Sequence, residues 1–398
     1  MRRRLLVALT VVVVVMTTTT TAAWAAWAVA SSNARAAGRS TSMPTTSAPS
    51  VTSTASRVTV TWSAASFPGG PVVEGYVVRA YNASTGAPRA VGGTCTATVT
   101  TLTCNDTGVP GGGWRYTVQA RQGAWAGTES ATSATVTVDA TVPVTTDNSS
   151  TIGAGPHNTT KTVTLSPTDT GGSGVAATYY TTNGSIPTTR STQGTSIVLA
   201  PDGVYTIRYF SVDGSGNTEA VKTAATIITI DKTAPLPTAI TLVNAGTAGT
   251  VDPGDRIEVT MSEILSVNSM CSAWTGSGDK SLTANSDVTV TITDAGENDV
   301  LSVNSASCTG GFKFGSVALG GDYVKRTRTF SGAAANRSSI SWIASTRVLS
   351  ITLGTASGSV NTGAPLGTPT WTPSTSLADL AGNTMAATAF NAPSTSRF

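Results

Sequence analysis

One histidine, four cysteines and a few clustered carboxylates are the side chains of this 398-residue sequence whose type and spacing bear on chemistry. His157 stands in Gly155-Pro156-His157-Asn158, with no Gly-x-Ser-x-Gly elbow near it. A Ser/His/Asp relay would have to use this imidazole, and no nucleophile is placed for it. No Walker loop or dinucleotide fingerprint is present. Asp and Glu could pair for glycoside cleavage, but they fall in turns and at strand edges, where solvation is their ordinary role. No catalytic residue and no cofactor-binding or metal-binding residue is assigned.

Calcium is the one cofactor the residues leave open. Asp213-Gly214-Ser215-Gly216-Asn217 and Asp379-Leu380-Ala381-Gly382-Asn383 repeat an Asp-x-x-Gly-Asn loop, and Asp294-Ala295-Gly296-Glu297-Asn298-Asp299 places three carboxylates in six residues. Hard oxygen ligands of this kind suit calcium. No single loop supplies six oxygens, however, and Asp, Gly and Asn also make tight turns unaided, which is the preferred reading.

Cys95 and Cys104 lie nine residues apart and Cys271 and Cys308 lie 37 apart. In an exported chain four cysteines point to two disulfides, and local pairing, Cys95 with Cys104 and Cys271 with Cys308, keeps each bridge within one module. No pair is CxxC and the histidine is remote, so a zinc site is not expected. Trp125, Trp274 and Trp371 sit in turn-like surroundings and are the candidates for stacking on a glycan, whereas Trp62 and Trp114 belong to strands.

The chain that must position these groups is poor in charge, 11% against about a quarter in an ordinary globular protein. Thr, Ser, Gly, Ala and Val dominate, a mixture that favours pleated, half-buried strands. Arg2, Arg3 and Arg4 carry the whole of the formal +3; without them basic and acidic residues balance at 21 each. No basic patch with interleaved aromatics remains, so nucleic acid is not an expected partner. Those arginines head an apolar run, Leu5 to Met16, followed by Ala28-Val29-Ala30. This is the layout of a secretory signal, predicting residues 1–30 as signal peptide with cleavage between Ala30 and Ser31. An uncleaved leader is the alternative, and the only expected route to a membrane.

Residues 31–45 are expected to be a flexible tether. Beyond it, period-2 alternation is clearest in Trp114, Tyr116, Val118 and Ala120, set against Arg115, Thr117, Gln119 and Arg121. Such strands, broken by turns like Pro68-Gly69-Gly70-Pro71, predict an all-β protein of antiparallel sandwiches. Asp139-Ala140-Thr141-Val142-Pro143 and Asp231-Lys232-Thr233-Ala234-Pro235 repeat a linker motif 92 residues apart, one sandwich length. The domains expected are therefore 46–140, 141–232 and 233–398, the last extended by strands between Ala295 and Ser345 or split in two. Small polar interfaces, relative motion and early proteolysis are expected at the two linkers.

Residues 46–140 resemble a fibronectin type III domain: Ala48-Pro49-Ser50-Val51, Trp62, Gly75-Tyr76-Val77-Val78 and Val109-Pro110-Gly111 leading into Tyr116-Thr117-Val118 carry the likeness. The resemblance implies that the Tyr116 hydroxyl returns to backbone. Tyr179-Tyr180-Thr181-Thr182-Asn183-Gly184-Ser185-Ile186-Pro187 resembles the Ig-like module of chitobiases and bacterial surface proteins. Gly254-Asp255-Arg256-Ile257-Glu258-Val259-Thr260-Met261-Ser262-Glu263 and Ala378-Asp379-Leu380-Ala381-Gly382-Asn383 resemble the two ends of bacterial Ig-like domains. The whole resembles secreted surface proteins of high-GC Gram-positive bacteria. That likeness implies a tandem immunoglobulin-like and fibronectin type III architecture, secreted or at the cell surface. The function it implies is non-catalytic adhesion or spacing, with an extracellular protein or a cell-wall or matrix glycan as partner. The alternative is a glycan-binding accessory protein that targets a polysaccharide-active enzyme.

Overall fold

A computed structural model describes residues 40–398 apart from 69 and 71, and the backbone of residues 23–25. The signal segment and its cleavage point at Ala30 and Ser31 lie outside the described residues. Strands make up 43% of the described residues and helix 4%, so the protein is all-β. Among the described residues no helix is long and apolar enough to cross a membrane.

Among the described residues three hydrophobic clusters form, each fed by alternating positions of its own strands. In the first, Ser50–Thr54, Arg57–Thr61 and Thr103–Thr107 form one antiparallel sheet. Opposite it, Gly112–Gln122 pairs with Gly75–Asn82, Val136–Val138 and Trp125–Glu129, and Pro88–Arg89 extends the edge. Val58, Val60, Tyr76, Val78, Trp114, Tyr116 and Val118 fill the space between. Met43 is buried with them and the Thr46 hydroxyl donates to the Val118 carbonyl at 2.8 Å, so packing begins inside the stretch expected to be tether. Cys95 and Cys104 are bonded across this core, Cα to Cα 5.3 Å.

Tyr116 does not return to backbone. Its hydroxyl donates to Asp106 Oδ2 at 2.8 Å, and Asp106 is wholly buried. That carboxylate also accepts the Gly92 amide at 2.5 Å and pairs with Arg89, whose guanidinium lies 5.2 Å from the centre of the Trp114 ring. A buried charge is tolerable when every oxygen has a donor, and here a tyrosine supplies one of them. Burial and the Asp106 carboxylate both raise the Tyr116 pKa, which keeps the phenol protonated as donor.

The second cluster, with Val163, Leu165, Ile197, Leu199, Ile207, Ile228 and Ile230, lies among smaller sheets. Val144–Asp147, Lys161–Thr168 and Ser196–Leu199 form one; Thr192–Gln193, Val175–Thr181, Arg208–Asp213 and Lys222–Thr223 another. The same device recurs here: Tyr209 donates to Asp147 Oδ2 at 2.8 Å.

The third cluster runs without a break from Ile240 to Phe398, so 233–398 has one core and not two. A five-stranded sheet is ordered Pro237–Val243, Arg256–Met261, Val348–Thr352, Ser339–Ile343, Lys280–Leu282. A seven-stranded sheet faces it, and three of its strands, Val300–Ser305, Gly315–Ala318 and Arg328–Ser331, come from the interval that makes this region long. Cys271 and Cys308 are bonded, Cα to Cα 5.1 Å, beside the edge-on pair Trp274 and Phe312.

Replacing Tyr116 by Phe removes one hydrogen bond to a buried carboxylate. We expect the first core to lose about 1.5–3 kcal/mol in urea unfolding. The unfolding of the other two cores should be unchanged.

Candidate functional site

Both Asp-x-x-Gly-Asn loops close in the same way. Asp213 and Asp379 each end a strand-like stretch and turn their carboxylates inward over the loop, both 2% exposed. Asp213 Oδ1 accepts the Ser215 and Asn217 amides at 2.9 and 2.7 Å; Asp379 Oδ1 accepts the Gly382 and Asn383 amides at 2.6 and 2.8 Å. Isolated bridges Val212–Thr218 and Ala378–Thr384 bracket the two loops. Gly216 and Gly382 take φ of 92° and 91°, which a side chain would strain.

Each asparagine then reaches beyond its loop. Asn217 Nδ2 donates to Asp213 Oδ2 at 2.7 Å and to the Asp139 carbonyl at 3.0 Å. Asn383 Nδ2 donates to Asp379 Oδ2 at 2.8 Å and to the Asp231 carbonyl at 2.9 Å. Asp139 and Asp231 are the first residues of the two repeated linkers. The two motifs separated in sequence are thus one assembly in space, built twice.

The loops also touch the preceding module. The Ala55 amide donates to the Ser215 carbonyl at 2.7 Å, and a Cβ placed on Gly382 would lie 3.5 Å from Asn158 Nδ2. Hydrogen bonds therefore reach both linkers, at the places where loose joints are expected. Small interfaces leave motion as the default, but here directed hydrogen bonds span the joint.

A third carboxylate joins each pair. Asp169 follows strand Lys161–Thr168 and Glu263 follows strand Arg256–Met261. Asp139, Asp169 and Asp213 each bring one oxygen within 4.8 Å of the others, and so do Asp231, Glu263 and Asp379. Two unit charges at that distance repel by about 3 kcal/mol at an effective dielectric near 20, more than a typical hydrogen bond returns. Asp139 accepts the Thr141 amide at 2.9 Å and the Ser173 amide at 2.7 Å, which hold its pKa down. Among the described residues the Asp231 carboxylate accepts only the Thr233 amide, at 3.2 Å, and burial with its acidic neighbours raises its pKa. Burial and the charges of Asp231, Asp379 and Asp202 push Glu263 up to about 7.

The other candidates fare differently. His157 is half-buried with Nε2 3.2 Å from the Gly153 carbonyl, and no nucleophile is bonded to it among the described residues. Asp299 is buried and caps backbone, accepting the Tyr323 and Val324 amides at 2.7 and 2.8 Å, so the last carboxylate of the acidic run 294–299 supports the fold. Trp274 is 6% exposed and Trp371 is wholly buried, stacked on Phe314 with its Nε1 donating to the Phe314 carbonyl at 3.1 Å. Neither can be a glycan platform. Trp125 is partly buried against the first core. Asp169 belongs to no motif that would single it out; Glu263 stands only within a quoted motif.

No protein-family model matches the chain, and no curated protein matches it. Among solved structures, the FN1–FN3 domains of chicken CNTN1 cover 89% of this chain and 99% of their own at 10% identity, with a TM-score of 0.23. Fibronectin(III)-like modules of Clostridium thermocellum CbhA cover 46% and 90% at 14% identity, with a TM-score of 0.25.

Asn217→Ala and Asn383→Ala should each free one linker. Limited proteolysis of the full chain is expected to cut N217A first within 139–143 and N383A first within 231–235, several-fold faster than the wild type. Equal cutting rates in all three would show that the asparagine amides do not hold the joints.

Proposed function

We propose that this chain is a non-catalytic extracellular spacer or adhesion protein, in which sandwich modules are set in line by fastened joints. The observation that carries the reading is the duplicated joint: linker carbonyl, asparagine amide and loop aspartate recur with matching hydrogen bonds at both junctions. An enzyme concentrates such effort in one cleft that converges on a substrate, whereas a spacer repeats it wherever modules meet. Two disulfides add support for an oxidising, extracellular setting. Its partner in this reading is a protein or glycan of the cell surface or matrix.

Burial of Trp274 and Trp371 weighs against the alternative, an accessory module that binds polysaccharide by aromatic stacking. Titration of the secreted chain with soluble cell-wall and plant oligosaccharides, followed by tryptophan fluorescence, separates the two readings. A spacer shows no saturable change; saturable quenching lost on replacing Trp125 by Ala would establish the glycan-binding reading instead.

A further inference from the structure

We propose that the first module carries a binding cleft for an acidic sugar, a uronic-acid unit of an anionic polysaccharide, with Arg115 taking the carboxylate. The inference rests on the adhesion reading and supplies its partner. The cleft, about 400 Å³, opens on the outer face of the sheet that contains Gly75–Asn82, Gly112–Gln122 and Trp125–Glu129. Tyr81, Arg115 and Thr117 line its floor, because they alternate with the core residues Ala80, Trp114, Tyr116 and Val118. Its size is that of a small-molecule site, roughly 300–1,000 Å³.

An interrupted ladder forms the cleft. Trp125–Glu129 and Val136–Val138 both pair with Gly112–Gln122, and the stretch between them steps aside. There Ser130 Oγ and Ser133 Oγ accept the Val118 and Tyr116 amides, each at 3.0 Å. The floor strand's own donors are thereby spent, and Thr132 is left at the rim. On the other side Asn82 Oδ1 accepts the Ser84 and Thr85 amides at 3.0 Å and the Ser84 hydroxyl at 2.7 Å. These bonds fix the loop 82–86 as a wall, while Asn82 Nδ2 has no partner among the described residues.

Arg115 and Glu129 are the charged residues of the lining, and they are not equivalent. Glu129 pairs with Arg79 at 2.6 Å and accepts the Tyr81 and Thr117 hydroxyls at 2.9 and 2.7 Å. Its charge is offset, and an acceptor position stays open for a sugar hydroxyl. Arg115 is exposed, in no ion pair among the described residues, and bonded only through Nε, to Thr135 Oγ1 at 2.9 Å. Its Nη1 and Nη2 remain for an anion, and a carboxylate fits that fork with two parallel hydrogen bonds. Beside it stand the Asn82 amide, the Thr132 hydroxyl, the Glu129 carboxylate and the Tyr81 ring, the mix of donors, acceptors and apolar surface that a polyhydroxylated ring uses. A peptide adding as a strand would need free backbone donors, and those at the floor are taken. A larger cleft, about 500 Å³, lies in the third module, but its polar groups serve each other: Lys325 pairs with Asp322, and Asn361 Nδ2 donates to Asp322 Oδ1 at 2.6 Å.

Isothermal titration calorimetry of the full chain tests this, since no tryptophan among the described residues lines the cleft to report by fluorescence. The probes are tetrasaccharides of galacturonate, of mannuronate and of hyaluronan, each with its carboxyl-methylated form, and hexaglutamate. At least one uronate tetrasaccharide should bind saturably with a Kd of about 1 mM or tighter. Methylation should weaken that binding about tenfold, through loss of one charge-assisted pair. Arg115→Gln should weaken it as much and should bind acid and ester alike, which a merely structural role for Arg115 would not produce. Thr132→Glu, an exposed change, should abolish binding by setting a negative charge on the rim. Thermal unfolding confirms that both variants fold. Absence of binding by all three uronates up to about 10 mM, tenfold above the weakest affinity expected, overturns the proposal. So does equal binding of acid and ester by the wild type, unchanged binding by either variant, or hexaglutamate binding as tight as the sugar's. In each case the asparagine-held joints, and the spacer reading with them, would still stand.

Discussion

Everything distinctive about this chain depends on a side-chain amide that donates in two directions. Asn217 and Asn383 each give one hydrogen bond to the aspartate of their own loop and one to the carbonyl of a linker 78 and 152 residues earlier. The first bond orients the amide and the second uses that orientation. Replaced by backbone alone, the linker carbonyl would face water and the modules would pivot. The requirement propagates outward: the aspartate must be buried to hold the amide, the loop needs glycine at positive φ, and the strand before it must end at the same level as the linker.

A related economy appears inside the cores. Tyr116–Asp106 and Tyr209–Asp147 each tie a core tyrosine to a carboxylate on the facing strand. Both join the two sheets of a sandwich with a directed bond where packing alone would allow sliding. In the first core Arg89 also neutralises the carboxylate; the Asp147 carboxylate instead accepts the Ser149 amide at 2.9 Å. The third core has no such pair among its described residues and relies on size: Trp342, Trp371, Phe314, Phe330 and Phe398 are wholly buried in it.

What the sequence conveys follows from how local each signal is. Strand alternation is a neighbour-to-neighbour property, so the all-β class and the strands around Trp114 and Tyr116 are legible. The Asp-x-x-Gly-Asn loops and the Asp-x-Thr-x-Pro linkers are visible as repeats, but that they meet is not. Asp139 and Asp213 are 74 residues apart, and only the closed sandwich brings this loop back to the linker that precedes the module. Asp169 carries no motif and is defined solely by where a strand ends. Tryptophan exposure is misjudged for a related reason: Gly and Ser around Trp274 suggest an open turn, while the disulfide to Cys308 and the ring of Phe312 cover it. Tyr116 finds its partner across the sandwich in a residue that the fibronectin likeness did not indicate.

The claim at the centre of this account is that the joints are held rather than loose, and amide hydrogen exchange measures it directly. The amides of Thr141, Ser173, Ser215 and Asn217 all donate to Asp139 or Asp213 at the first joint. They should exchange far more slowly than an unstructured linker of the same sequence, with protection lost together when Asn217 is changed to Ala. Exchange at the free-peptide rate in the wild-type chain would contradict the account.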